Sequence, residues 1–329
     1  MINKILRTRF CFLIILLFVF MVFFTACNTS PKKPQEEQGG NKPPEVPEVL
    51  VEMESEILET MYDIDAIKGI EMAIEEKEKE ELPTTPQAAE IEVETEGELE
   101  PEVNVQQPQQ EKAGNGQKLR MAIEEEQIIV PLLKEEEIEG TTAEMSEPPE
   151  AIDEVWFEIG HKIESFHKKW NVLEADLRDV HAPQDQIDKF EETLIEASEA
   201  MMQKDVVSSL FALNNLTSYL ANFRNSFTSK VPGPVYKMKY HIRQSVLYAH
   251  EEKYENAQEH IDKAKELKNG MQQQLAEKDA QHTAEKFDLS IADLEKQIAA
   301  ENFDLIQTNA AVVIKNIILI QDTFKGSMK

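Results

Sequence analysis

Three positions in the second half of this chain interrupt an otherwise helical rhythm of apolar residues, and they are evenly spaced. The phase of the apolar stripe slips near Lys204-Asp205, Lys253-Tyr254 and Asn302-Phe303, 49 residues apart each time. After each slip the apolar residues resume at steps of three, four and three: Val206/Ser209/Leu213/Leu216, Tyr254/Ala257/Ile261/Ala264 and Phe303/Ile306/Ala310/Val313. Those steps put side chains on one face of a helix, and no segment alternates convincingly with period two. The pattern therefore predicts an all-α fold built on an internal period.

Two architectures fit. In one, an antiparallel bundle, each slipped segment is a single long helix. In the other, each slip is a turn and the segments are helical hairpins. The breaks at His181-Ala182-Pro183 and Lys230-Val231-Pro232-Gly233-Pro234 carry proline, whereas no glycine or proline sits at a slip, and this favours long helices. Gln244 to Leu267 resembles one tetratricopeptide unit through Tyr248, Tyr254, Ala257, Ile261 and Ala264, without the Trp-Leu-Gly signature. That resemblance implies the hairpin alternative.

An earlier segment has a clean stripe of its own: Ile152, Val155, Ile159, Ile163, Phe166, Trp170 and Leu173. With the three slipped segments it defines a helical domain over residues 151–329, expected to fold alone. The core candidates are Phe166, Trp170, Phe190, Leu213, Ile261, Leu294 and Ile317.

Residues 28–150 differ in character. They hold 10 basic and 34 acidic side chains, 12 of the chain's 15 prolines, and Tyr62 as their only aromatic. Composition of this kind offers little apolar surface to offset the entropy of ordering, so residues 27–150 are expected to form an acidic, mostly disordered tether. Two islands interrupt it. Leu50 to Ile74 keeps approximate helical spacing, and Leu119 to Ile138 contains Pro131. The phrase Met72-Ala73-Ile74-Glu75-Glu76 recurs as Met121-Ala122-Ile123-Glu124-Glu125. These stretches read either as partner-binding helices or, preferably, as transient helix in a Glu-rich linker.

Residues 1–26 read as an export signal. Lys4, Arg7 and Arg9 precede an unbroken apolar run from Phe10 to Phe24, the order of a secretory signal. The run ends in Phe24-Thr25-Ala26-Cys27, which resembles a bacterial lipoprotein lipobox. The resemblance implies that Cys27 carries lipid and becomes the mature N-terminus. The alternative is an uncleaved anchor over Phe10 to Ala26, just long enough to span a bilayer. Either way the chain is held at a membrane on its extracytoplasmic face.

Catalytic signatures are absent from the sequence. No Gly-x-Ser-x-Gly, phosphate loop or His-Glu-x-x-His occurs, and Cys27, the proposed lipid site, leaves no thiol nucleophile in the mature chain. Glu158-x-x-His161 and Glu164-x-x-His167 fall on one helix, where bundle di-iron sites need the motif from two. Gly160-His161-x-x-Glu164 is similar to the core of imelysin-like lipoproteins, without the leading glycine, and that similarity implies a metal site. His161 lies about 200° around the helix from Ile159, so a solvated position is preferred and no metal or cofactor is assigned. Met201, Met202, Met238 and Met271 read as core filler, Trp156 and Trp170 as one packing face, and Asn214, Asn215 and Asn309 as polar groups beside apolar stripes. A net charge of -29 repels nucleic acid. The sequence thus points to a lipid-anchored binding or scaffold module for an unknown envelope protein, with a ligand-holding bundle (metal, haem or small molecule) as the alternative.

Overall fold

The computed structural model describes residues 42–81 and 109–326. Cys27, the signal region and residues 82–108 of the expected tether lie outside them. Among the described residues the secondary structure is α-helix with two short 3-10 turns and no strand. The all-α expectation holds.

Each sequence slip is a turn. Helices α6 (Gln184–Met202) and α7 (Val206–Phe223) form one hairpin, α8 (Gly233–His250) and α9 (Tyr254–Gly270) a second, and α11 (Gln281–Ala299) and α12 (Phe303–Lys325) a third, with the short α10 (Gln272–Glu277) between the last two. Long helices through the slips are therefore ruled out. The turn needs neither glycine nor proline because a single ordinary residue adopts the left-handed conformation: Lys204, Glu252 and Glu301 have φ of 58°, 57° and 54°. Around each, two backbone bonds close the helix. Lys253 N–H donates to the Tyr248 carbonyl at 2.9 Å and Glu252 N–H to that of Ala249 at 3.0 Å; Asp205 and Lys204, and Asn302 and Glu301, repeat the pair. This is the Schellman cap, which usually has glycine at its left-handed position. Asp205 and Asn302 then cap the next helix, accepting from Ser208 N–H at 3.0 Å and Leu305 N–H at 3.2 Å.

The tether is the second correction. Residues 48–81 and 116–150 belong to the folded body. Helix α1 (Glu48–Asp65) buries Leu50, Met53, Ile57, Met61 and Ile64 completely, packing on α7 and on α5 (Ile152–Asp179). Helix α2 (Ile67–Glu81) crosses α3 (Gln109–Glu126) so closely that a Cβ on Gly69 would lie 2.4 Å from the Ile123 Cα. The two copies of Met-Ala-Ile-Glu-Glu lie side by side at that crossing. They serve as each other's partners, clamped by Lys68–Glu126 and Lys118–Glu76. Helix α4 (Val130–Glu135) starts just before Pro131, which sits in its first turn where no N–H is needed.

The contacts close a ring. Helices α1, α7, α8, α12 and α4 touch in turn, and α4 returns to α1. Helices α5, α6, α9 and α11 pack around the outside. At the centre, Arg243 on α8 is fully buried and pairs with Glu136 at the end of α4. Lys239 joins the same carboxylate at 3.0 Å. Burial alone would raise the Glu136 carboxyl, but the charges of Lys239 and Arg243 outweigh it and hold it below the usual range. Asn214 accepts from Arg243 Nε at 2.9 Å and donates to Gln244 at 2.7 Å, so the central polar groups are paired among themselves.

All seven core candidates are buried, none more than 3 % exposed. Helix α12 is long and apolar enough to cross a membrane, but Ile306, Ala310, Val313, Ile314, Ile317 and Ile320 on it are buried against its neighbours.

Candidate functional site

The residues singled out from sequence are distributed rather than convergent. His161 is exposed and meets Phe157 edge-on at 4.6 Å. Glu164 pairs with Lys168 at 2.6 Å, and His167 lies 3.2 Å from the Ser198 hydroxyl. No group of three His, Cys, Asp or Glu side chains able to hold a metal occurs among the described residues. Trp156 and Trp170 are both buried; Trp170 stacks on Phe190 at 4.2 Å, and its indole N–H donates to Glu191 at 3.2 Å. Asn215 accepts from the Tyr240 hydroxyl at 3.2 Å, and Asn309 bonds back to its own helix. Of the four methionines, Met201, Met238 and Met271 are core, whereas Met202 is 66 % exposed. The asparagines and tryptophans thus line no common pocket.

Two of the surface clefts among the described residues are large enough to bear on function. The first, about 540 Å³, is lined by Asn225, His241, Lys263 and Met271, among others. Behind it, His241 and His260 face each other with their Nδ1 atoms 2.9 Å apart, one ring donating to the other. Tyr240 and Tyr248 pack on the His260 ring. Burial pushes the His241 imidazole down to about 3, aided by His260, Lys237 and Lys263; burial pushes His260 down to about 4, aided by the two lysines. Lys237 is itself lowered to about 8 by burial. It has only neutral acceptors: the Ser218 hydroxyl and carbonyl, and Asn222. This is a desolvated, cation-rich neighbourhood, poorly suited to a further metal cation. Sequence reading left His241 and His260 apart because they meet only across the α8–α9 turn.

The second cleft is a groove of about 590 Å³ where the first turns of α5 meet the α4–α5 connection. Met145, Pro149, Val155, Phe157 and Ile159 give it an apolar floor; Glu154, Glu158 and Lys162 stand at its rim. Phe157 is 66 % exposed. Asp153 is paired with Lys204 at 2.6 Å, and Lys162 sits 3.9 Å from Glu56. Asp63, at the back, accepts from Thr141 and from both the N–H and hydroxyl of Thr142. Among the described residues Glu154 and Glu158 have no ion pair or side-chain hydrogen bond. The spacing showed the Ile159 stripe but not this groove, because Met145 and Pro149 come from what reads as linker.

No family model, curated protein or solved structure matches this chain.

Proposed function

We propose that this protein is a lipid-anchored, extracytoplasmic adaptor: a binding module rather than an enzyme, held to the membrane through lipid on Cys27 and presenting its helical body to a protein of the cell envelope. The observation that carries this is the apolar run ending in Thr25-Ala26-Cys27, with the folded body beginning at Pro43, 16 residues later. Sixteen residues span at most about 55 Å, so the body is kept near the bilayer. The charged centre, Arg243 and Lys239 on Glu136, is paired within itself, which supports recognition at the surface. A net charge of -29 argues against nucleic acid as a partner.

Replacing Cys27 by Ser should abolish metabolic labelling with palmitate and release the protein from the membrane fraction. Unchanged labelling would overturn the anchor. The His241–His260 pair beside its cleft favours a second reading, a small-molecule carrier. Native mass spectrometry of the protein from its host would reveal such a cargo as an added mass.

A further inference from the structure

We propose that the groove at the start of α5 is the adaptor's docking site, and that it takes a protein segment carrying an apolar anchor flanked by lysine or arginine. This inference rests on the adaptor reading and names the partner's chemistry.

Four observations converge on it. Phe157, 66 % exposed, is a large aromatic left in water within an apolar groove, and such a surface marks an interaction site when its rim is polar. That rim carries Lys162, 3.9 Å from Glu56, and Glu154 and Glu158, both exposed and without an ion pair among the described residues, so these two carboxylates are free to meet complementary charge on a partner. The same negative rim disfavours an anionic lipid surface, and a second copy of so acidic a chain.

Gly160 lies one turn beyond Phe157 in the middle of α5, and a Cβ there would meet nothing within 4 Å. Glycine inside a helix weakens it, and nothing in this fold requires one at that position. A bare patch beside an exposed aromatic lets a partner's backbone approach closely. Position is the fourth observation. The chain enters the body at Pro43 and Pro44, whose carbonyls accept from Thr228. Asp63, at the other end of α1, backs the groove. Asp63 is the sixteenth of the 18 residues of α1, so the groove lies toward the opposite end of that helix from Pro44, about 22 Å along its axis.

The test uses the full-length protein in detergent and a fluorescent synthetic peptide of alternating leucine, phenylalanine and lysine, read by anisotropy. The lysine peptide should bind saturably, and its counterpart with glutamate for lysine should not. Phe157→Ser and Gly160→Leu should each weaken binding at least tenfold. Glu154→Gln with Glu158→Gln should weaken it and flatten its salt dependence, and Leu289→Ser on α11 should leave it unchanged. Gly160→Leu replaces a poor helix former with a good one, so its melting temperature should not fall; lost binding there cannot be lost folding.

Binding equal in Phe157→Ser and the parent would reduce the effect to general attraction by net charge and overturn the site. Concentration-dependent dimers that vanish in Phe157→Ser would overturn it in favour of a second copy. Palmitate labelling without peptide binding would sink the groove alone; peptide binding without labelling would sink the anchor alone.

Discussion

Among the described residues, six that are not glycine hold a backbone conformation that glycine adopts without strain. Glu137, His181, Lys204, Glu252, Asp279 and Glu301 all have φ between 53° and 59°, and each closes a helix with the same pair of backbone bonds. A side chain in this region costs about 1–2 kcal/mol, part of which a glycine forfeits by loosening the unfolded chain. Glu252→Gly should therefore raise stability by about 0.5–1 kcal/mol, and Glu252→Val should lower it, as read from urea midpoints. Equal midpoints for the two variants would refute the turn geometry. These turns were not legible because Lys, Glu and Glu at the three slips carry no turn signature of their own.

Buried titratable groups set the response to acid. His241 and His260 are neutral in the fold, with values near 3 and 4, whereas an unfolded histidine titrates near 6.5. Their contribution is complete above about pH 6.5. It is lost as pH falls toward 4 and then 3, at up to about 1.4 kcal/mol per pH unit for each ring. Asp65 runs the other way. Burial pushes it up to about 6 against the pull of the Ile128, Ile129 and Val130 N–H groups it accepts from, so its contribution is greatest below 3.8 and is lost as pH rises through 6. Replacing both histidines by glutamine should flatten the loss of stability between pH 6.5 and 4, measured as urea midpoints across that range. A profile as steep as the parent's would contradict the buried pair.

Helix α1 is the element that composition concealed. The apolar spacing from Leu50 onward was visible, but averaging over 123 residues pooled it with proline- and glutamate-rich sequence and made its acids look like solvation. In the fold they are counter-ions to the basic residues of the later helices. Glu54 pairs with Arg224, which stacks on Tyr236 at 3.9 Å; Glu56 binds Ser165 and Lys169; and from the α4 end, Glu136 answers Arg243. Such pairs join residues more than a hundred positions apart, which no local window reports. Without α1 the faces of α5 and α7 would be open to water and Arg224 would lose Glu54; without the α4 end, which residues 151–329 also lack, Arg243 would lose Glu136, each at a buried position. The fragment 151–329, which reads as self-sufficient, should therefore lack a cooperative thermal transition, whereas the chain from residue 43 should have one. A sharp transition from the short fragment would show that α1 is an accessory.

At the scale of the molecule, the helical period gave the class and the core, and the burial of Phe166, Trp170, Phe190, Leu213, Ile261, Leu294 and Ile317 follows from it. The ring did not follow, because its closure depends on α1 and α4, two elements drawn from apparent linker. The groove shares that origin: one wall is the α5 stripe, and the other comes from residues 141–149. The folded body thus incorporates helix α1, drawn from the acidic segment that reads as tether. Hydrogen–deuterium exchange on the full-length protein tests this most directly. The amides of residues 53–64 should exchange as slowly as those of residues 238–247 in α8, because both helices open only when the ring does. Exchange of 53–64 within seconds, at the rate of an unstructured chain, would return α1 to the tether and contradict the account.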